Sequence, residues 1–311
     1  MGGRSSEREI SLKSGDGILQ ALLSCGCQAV GIDLTSIDVS QVKETIACAH
    51  IDMAFIALHG FFGEDGQIQR VLDEMAIPYT GAGSDASHHA FDKCLTKNIC
   101  QESNIMTPGD MTINKGQGRP IRDILKTLEK FPVVVKPPRE GSSIGVSIVE
   151  HGQDLLPALN IAWQYGPDAI VEEFIKGREM TVGVVGSEAL PVVEIQPAKD
   201  FYNYKAKYTE GMTEYIVPAR LTEDKTEEMQ HAALKACQSV DCLDLSRVDF
   251  ILSEDFVPYL LEINTIPGFT GTSLLPRAAR QSGLNYSQLC LKILDLAYAK
   301  KKEEKNFSVI N

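Results

Sequence analysis

The chain has 311 residues, of which 42 are acidic and 30 are basic, so its formal net charge is −12. A hydrophobic fraction of 43% with 23% charged residues is typical of a globular protein and excludes a collagen-like or low-complexity chain. The acidic balance excludes nucleic acid or anionic lipid as a partner bound through a broadly basic surface. A length near 300 exceeds one usual hydrophobic core and predicts two or three packed units.

The eight cysteines are scattered along the chain and do not form a metal-binding pattern. Such spacing favours reduced thiols in a cytoplasmic protein. No apolar run reaches about 18 residues, so no membrane span is predicted. Residues 1–6 match a myristoylation pattern, but a single acyl chain anchors an acidic protein weakly, and we disfavour that interpretation.

Residues 1–83 alternate helical and extended patterns. A helical stripe over 18–23 precedes predicted strands over 28–34 and 53–58, and a second helical face covers 68–75. The run over 53–58 is continuously apolar, which is typical of a strand covered on both faces. This alternation predicts an N-terminal parallel α/β (Rossmann-like) domain.

Residues 84–176 are predicted to form a small central α+β domain. Ser84 is expected to cap one helix that carries Phe91, Leu95 and Ile99 on a single face. The other predicted elements are a helix from Pro120, a strand over 132–136, a helix over 155–163 and a strand over 169–175.

Residues 177–311 are predicted to form a C-terminal α+β domain with an antiparallel sheet. A hairpin is expected over 180–195 with its turn at Gly186 and Ser187, and a second one over 246–264. A final helix is expected over 286–302. The overall expectation is thus a three-domain α/β chain, α+β in total.

The strongest chemical signal is the set Arg247, Asp249, Glu262 and Asn264 on the second hairpin. Alternation along strands places all four on one face. If a two-residue turn joins the strands, Arg247 lies opposite Glu262, and Asp249 lies opposite Leu260. Two carboxylates and an amide oxygen suit a magnesium ion shared with phosphates. The alternative is a solvent-facing polar strip with an Arg–carboxylate pair.

A second signal is the segment 136–146, where a strand delivers Lys136 to a loop rich in glycine and serine. Small residues let backbone N–H groups approach phosphate oxygens, although a plain hairpin turn is an equal alternative. The segment 200–213 is aromatic and basic and is either a lid carrying Lys207 and Tyr208 or a packed loop. His59 follows the strand over 53–58, where either a ligand-binding or a structural histidine is expected.

Together these segments resemble the D-alanine–D-alanine ligases of the ATP-grasp superfamily. The matching motifs, in the family's order, are 2–11, 59–69, 136–146, 201–208 and 262–274. The resemblance implies that ATP phosphorylates one D-alanine and that the amine of a second D-alanine attacks the acyl phosphate. It also implies magnesium, with two ions expected and manganese as an alternative, and a homodimer.

The resemblance further implies a role for each site residue. The ATP-binding residues would be Lys93, Lys136, Ser143, Glu172, Glu173, Ile175, Glu179 and Lys207. The metal ligands would be Asp249, Glu262 and Asn264. The catalytic residues would be Glu7, Ser142, Tyr208, Arg247, Gly268 and Ser273, with Glu7, His59 and Ser273 also contacting the substrates.

Three departures from the family pattern accompany the resemblance. The chain begins at the glycine loop, so the N-terminal sheet is expected to lack one strand or to start late. Asn203 and Lys205 replace acidic residues of the lid, and Phe269 replaces a methionine. The competing hypotheses are a D-alanine–D-lactate type ligase, disfavoured by Tyr208, and a non-catalytic nucleotide-binding protein, disfavoured by the intact charged set.

Overall fold

The computed structural model describes residues 1–128, 130–197 and 213–308, which form helices packed around two antiparallel sheets. The helices are α1 (Arg8–Ser24), α2 (Val39–Cys48), α3 (Gln67–Glu74), α4 (Ser84–Phe91), α5 (Lys93–Glu102), α6 (Ile121–Leu125), α7 (Leu155–Ala162), α8 (Glu223–Val240), α9 (Leu274–Gln281) and α10 (Tyr286–Ser308). The strands are β1 (Asp110–Asn114), β2 (Val133–Lys136), β3 (Ser147–Val149), β4 (Asp168–Glu173), β5 (Gly177–Val185), β6 (Glu188–Ala189), β7 (Val193–Pro197), β8 (Thr213–Ile216), β9 (Leu245–Ser253) and β10 (Pro258–Asn264). Among these residues, none of the helices is both long and apolar enough to cross a bilayer.

The N-terminal region has the predicted helices but not the predicted ladder of strands. Residues 28–34 and 53–58 are extended, and their β-pairing consists of single parallel bridges, Gly2 with Leu34 and Ala54 with Tyr79. The predicted parallel direction is correct, whereas the predicted continuous strands are not. Both segments line one cavity, and neither is paired along its length.

The central sheet has the order β1-β4-β2-β3, and α7 packs on it. All its neighbouring strands are antiparallel, and Lys136 lies opposite Ile170, so Glu172, two residues further along β4, lies on the same face as Lys136. Leu155 and Leu159 of α7 are buried against Val135 and Val149. This apolar face fixes the position of β2, which ends at Lys136.

The C-terminal sheet has the order β10-β9-β5-β7-β8, with β6 paired to β5. Helices α4, α5 and α8 share a core with this sheet, which includes Ala86, Cys100, Met229 and Phe250. The first hairpin is confirmed, since Gly186 adopts φ 64° where β5 turns toward β6. The residues of α4 and α5 therefore pack mainly on the C-terminal sheet.

One predicted helix is two helices in the structure. The expectation of a single helix capped by Ser84 is wrong, because Gly83 is the N-cap of α4 and Asp92 interrupts the run. Asp92 has an extended backbone, and its side chain accepts hydrogen bonds from the N–H groups of Cys94 and Leu95. A carboxylate in this position stabilises a new helix start, which places Lys93 in the first turn of α5.

The register predicted for the second hairpin is also wrong. The turn has three residues rather than two, with Phe256 at φ 60° and Ser253 facing Val257. A further register shift falls between Leu260 and Glu262. Asp249 consequently lies opposite Glu262. The predicted shared face is correct.

Candidate active site

A buried ionic cluster joins the central sheet to α5. The ammonium of Lys136 lies 2.6 Å from Oε1 of Glu172, because β2 and β4 are neighbours. The ammonium of Lys97 lies 2.9 Å from Oε2 of Glu172 and 2.9 Å from Oδ1 of Asp110. One carboxylate thus holds two lysines that come from different parts of the chain.

Burying the charged side chains of this cluster costs free energy. The side chains of Lys97 and Glu172 are 1% and 4% exposed, and isolated charges at such depth cost several kcal/mol each. Burial alone would raise the pKa of Glu172, but attraction and hydrogen bonds from Lys136 and Lys97 outweigh it and lower that pKa. Glu172 is therefore held ionised as a fixed acceptor.

Lys93 links α5 to the loop over 137–146 and to the hairpin formed by β9 and β10. Its ammonium donates to the carbonyl oxygen of Glu140 at 2.7 Å and lies 3.0 Å from Oε2 of Glu262. The preceding residue, Asp92, accepts a hydrogen bond from Nε of Arg139 at 2.7 Å. The N-terminus of α5 is therefore attached to this loop by two contacts, one from Asp92 and one from Lys93.

The predicted metal residues lie together on the hairpin formed by β9 and β10. Arg247 donates to both oxygens of Asp249, at 2.9 and 2.7 Å, and the amide of Asn264 donates to Oδ2 of Asp249 at 3.1 Å. The hydroxyl of Thr181 on β5 donates to Oδ1 of Asp249 at 2.5 Å. Asp249 is thereby held in orientation by three side chains. The four residues predicted from the hairpin, Arg247, Asp249, Glu262 and Asn264, are half-buried and do not form a solvent-facing strip.

Glu7 brings the N-terminal glycine loop into contact with the loop over 137–146. The hydroxyl of Ser142 donates to Oε1 of Glu7 at 2.5 Å, across 135 residues of sequence. Ser142, Ser143 and Gly145 have φ of 52°, 59° and 70°, a left-handed path that turns the loop toward Glu7. Two of the predicted site residues, Glu7 and Ser142, are therefore in direct contact in the structure.

His59 connects the second motif to the C-terminal motif. Its Nδ1 donates to the carbonyl oxygen of Ile266 at 2.9 Å, so Nε2 accepts from the hydroxyl of Ser14 at 3.2 Å. The Ser14 oxygen in turn accepts from the backbone N–H of Phe269 at 3.2 Å. Burial raises the pKa of Glu64, whose Oε1 lies 3.6 Å from Nδ1 of His59. These contacts give His59 a positioning role between the two motifs.

Ser273 closes the turn that presents Gly268. Its hydroxyl oxygen accepts from the N–H of Thr270 at 3.0 Å and lies 2.8 Å from the Thr270 hydroxyl. A Cβ on Gly268 would lie 3.3 Å from that same oxygen, so the glycine permits a close approach. Both predicted residues therefore lie in one tight turn before α9.

Three other predicted residues lie on or beside β4 and β5. Glu173 forms an ion pair with Lys130 at 2.5 Å, Ile175 follows β4 and is half-buried, and Glu179 lies on β5 between Ile195 and Ile251. Lys207 and Tyr208, with the predicted lid, lie outside the described residues. In the part of the chain that the structure describes, no three His, Cys, Asp or Glu side chains are grouped as metal ligands.

Sequence reasoning missed five polar partners in these clusters. They are Ser14, Glu64, Lys97, Asp110 and Thr181. Lys97 could have been found, because it follows Lys93 by four residues on the same helix face. The others carry no local signal, because each meets its partner only through the tertiary fold.

Comparisons with known proteins give a consistent assignment. Residues 35–82 match the family model described as D-ala D-ala ligase N-terminus, and residues 106–295 match the model described as D-ala D-ala ligase C-terminus. A protein named D-alanine--D-alanine ligase from Pelotomaculum thermopropionicum is 44% identical over 307 residues, covering 96% of this chain and 95% of that protein.

Two solved structures are similar over nearly the whole chain. A D-alanine--D-alanine ligase from Bacillus anthracis has a TM-score of 0.87 at 34% identity, covering 98% of this chain and 97% of its own. A structure of D-alanine--D-alanine ligase from Bacillus anthracis complexed with ATP has a TM-score of 0.85 at 31% identity, covering 98% of this chain and 97% of its own. The fold is thus that of an ATP-using ligase. The chain belongs to the D-alanine–D-alanine ligase family.

Proposed function

We propose that this protein joins two D-alanines with ATP to give D-alanyl-D-alanine, ADP and phosphate, for peptidoglycan precursor synthesis. The observation that carries the proposal is the contact between Nζ of Lys93 and Oε2 of Glu262, which are 3.0 Å apart. This contact brings the helix that bears two lysines onto the hairpin that bears two carboxylates. The named relatives and the ATP-bound Bacillus anthracis structure support the substrates.

The nucleotide is proposed to bind between the two sheets. Lys136 and Lys93 supply positive charge for the phosphates, and Ser143 lies in the loop that approaches them. Glu172, fixed by two lysines, is a preorganised acceptor for an exocyclic amine of the base. Glu173, Ile175 and Glu179 are proposed to complete the adenosine pocket, as the family resemblance implies.

Asp249, Glu262 and Asn264 fit a hard divalent cation. Two carboxylates and an amide oxygen lie on one face of a hairpin, and magnesium prefers such oxygen ligands together with phosphate oxygens. When bound, magnesium, or manganese in its place, would neutralise charge that develops on the transferred phosphoryl group. We propose two ions, with Arg247 and Thr181 orienting Asp249 toward them.

The proposed first step transfers the γ-phosphoryl group of ATP to the carboxylate of one D-alanine, which forms an acyl phosphate and ADP. Glu7 is proposed to hold the ammonium of this D-alanine, oriented by Ser142, with His59 behind it. Lys207 and Tyr208, outside the described residues, are proposed to cover the site as the resemblance implies. Excluding water protects the acyl phosphate from hydrolysis.

The proposed second step is attack by the amine of the second D-alanine on the carbonyl carbon of the acyl phosphate. The carbon–oxygen bond to phosphate breaks, phosphate leaves, and the amine loses a proton. Arg247 and the backbone N–H of Gly268 are proposed to stabilise the oxyanion of the tetrahedral intermediate. Ser273 is proposed to bind the carboxylate of the second substrate.

The test is a turnover assay with ATP, magnesium and D-alanine as the sole amino acid. We expect phosphate release matched one-to-one by D-alanyl-D-alanine, identified by mass spectrometry. D-lactate is assayed in parallel as the second substrate, because an ester product would favour the D-alanine–D-lactate alternative. ATP binding without turnover on either substrate would instead identify a non-catalytic nucleotide-binding protein and reject the proposal.

We also propose the domain boundaries, the location and the oligomeric state of the protein. We propose an N-terminal domain over 1–83, a central subdomain over 84–176 and a C-terminal subdomain over 177–311. A cytoplasmic homodimer is proposed from the resemblance and from the thiols, all eight of which are free. Light scattering of the purified protein measures the mass and tests the dimer.

A further inference from the structure

Gly268 lies in a short turn after β10, between Pro267 and Phe269. Both neighbours are buried, whereas Gly268 is half-buried. Pro267 has no N–H group, and the N–H of Phe269 donates to the hydroxyl oxygen of Ser14. In the part of the chain that the structure describes, no group accepts a hydrogen bond from the N–H of Gly268. This amide is therefore the donor that the turn leaves open to a ligand.

Ser14 and His59 join the two ends of this turn through hydrogen bonds. The N–H of Phe269 donates to Oγ of Ser14 at 3.2 Å, and that oxygen lies 3.2 Å from Nε2 of His59. Nδ1 of His59 donates to the carbonyl oxygen of Ile266 at 2.9 Å, so Nε2 is the acceptor and the Ser14 hydroxyl donates to it. These three contacts close a hydrogen-bonded ring around Gly268.

The ring fixes the peptide units on both sides of the Gly268 N–H group. That group belongs to the peptide unit between residues 267 and 268. The unit before it contains the carbonyl held by His59, and the unit after it contains the N–H held by Ser14. Since both flanking units are held, the direction of the open N–H is set before any ligand binds.

Burial keeps water from replacing these contacts. Ser14 is 0% exposed and His59 is 4% exposed, and a buried polar group that loses its partner is left unsatisfied. Tyr286 supports the same turn, because its hydroxyl donates to the carbonyl oxygen of Phe269 at 2.6 Å. Its ring centroid lies 5.5 Å from that of Phe269. The Phe269 main chain is thus held at both its N–H and its carbonyl.

We propose that Ser14 is a positioning residue for the second step, which acts through Phe269 to direct the N–H of Gly268 at the oxyanion of the tetrahedral intermediate. The inference rests on the proposed function. A donor that already points at developing charge stabilises it without reorganisation, whereas a donor that can rotate loses part of this effect. In the first step the carboxylate attacks phosphorus, and no oxyanion forms on the carbonyl carbon. The ring therefore serves the second step alone.

The test is Ser14→Ala, with phosphate and D-alanyl-D-alanine measured in the same reaction. Dipeptide formation should fall by about tenfold, while the KM for ATP should stay within about twofold. Phosphate should exceed dipeptide, because slower attack by the amine leaves the acyl phosphate to hydrolysis. A loss of stability alone would not change this ratio. Hydrogen exchange at the Phe269 amide should become faster by about tenfold or more, since its acceptor is removed.

The matched control is Ser87→Ala. Ser87 is also 0% exposed, and its hydroxyl donates to the carbonyl of Ala82, away from the ring. This variant should keep one-to-one stoichiometry and an unchanged rate. The inference is rejected if Ser14→Ala keeps both as well, or if the two variants lose activity with the same stoichiometry.

A measurement on the unaltered protein decides the case in which Ser14→Ala does not fold. Nitrogen-15 NMR of the His59 ring at mildly alkaline pH should show the proton on Nδ1 and none on Nε2, as the ring requires. The opposite tautomer would reject the inference. If the unaltered protein makes no dipeptide, the proposed function fails and this inference fails with it. Normal turnover of the unaltered protein beside an unaffected Ser14→Ala rejects the inference alone.

Discussion

Asp249 lies directly opposite Glu262 in the ladder between β9 and β10. The three-residue turn and the register shift after Leu260 together produce this alignment, which a two-residue turn would not give. Two carboxylates at adjacent ladder positions repel each other unless cations lie between or beside them. Lys93 and Arg247 supply that charge in the structure, and bound magnesium is proposed to supply more.

The first prediction concerns Glu262→Gln, which keeps the shape of the side chain and removes its charge. We expect phosphate release to fall by about 10²-fold or more, because charge stabilisation at the phosphoryl group is weakened. Circular dichroism should show an unchanged fold. Glu254→Gln, in the exposed turn of the same hairpin, should retain full activity. Normal turnover by Glu262→Gln would reject the proposed metal ligand.

The second prediction concerns Lys97→Met, which removes one of the two cations on Glu172. The free energy of unfolding should fall by about 3 kcal/mol, because the buried carboxylate of Glu172 loses one of its two cationic partners. ATP binding, measured by calorimetry, should weaken as well. Lys126→Met, on an exposed side chain, should change unfolding by less than about 0.5 kcal/mol. Equal unfolding curves for the two variants would contradict a stabilising role for the cluster.

The third prediction is the acid dependence of stability that Glu172 causes. Its pKa in the folded protein lies below the ordinary value of 4.5, so the ionised form is favoured by folding. The stabilisation is therefore present above pH 4.5 and is lost as the pH falls through the lower folded pKa. Urea unfolding of the protein and of Glu172→Gln at several pH values should show a stability difference that narrows below pH 4.5. A difference independent of pH would contradict this account.

The fourth prediction concerns the strained turn of the second hairpin. Phe256 is exposed and has φ 60°, a conformation that costs a side-chain-bearing residue about 1 kcal/mol. Phe256→Gly should therefore keep the register and leave stability unchanged or raised by up to about 1 kcal/mol. Phe256→Ala is the matched control, because it retains the Cβ and the strain. Chemical denaturation measures both, and an alanine variant more stable than the glycine variant would contradict the argument.

Local sequence patterns predicted most of the regular elements correctly. The helical stripe before Gly26, the strand that ends in Lys136 and the hairpin around Gly186 depend on neighbours within one or two turns of chain. Periodicity also placed Asp249 and Glu262 on the same face. Features of this kind depend on residues that are close together in the sequence, so they can be predicted from a single sequence.

What the sequence did not reveal depends on contacts between distant segments or on backbone strain. The apolar helical pattern continues past residue 92, but the hydrogen bonds that the Asp92 side chain accepts end one helix there and begin α5. The hairpin register depended on Phe256 adopting a left-handed conformation, which aromatic residues rarely do. Lys97 and Asp110 meet only because α5 packs beside the edge of the central sheet, and no local pattern encodes that distance.

The attachment of the loop over 137–146 to the start of α5 determines where that loop can bend. Asp92 accepts a hydrogen bond from Arg139, and Lys93 donates one to the carbonyl of Glu140. The first half of the loop is therefore fixed to α5. A bend of this loop is therefore expected beyond Glu140, where Ser142, Ser143 and Gly145 have positive φ. Because Ser142 also contacts Glu7, a bend at Ser142 would break or form this contact while Lys93 and Lys136 stay in place.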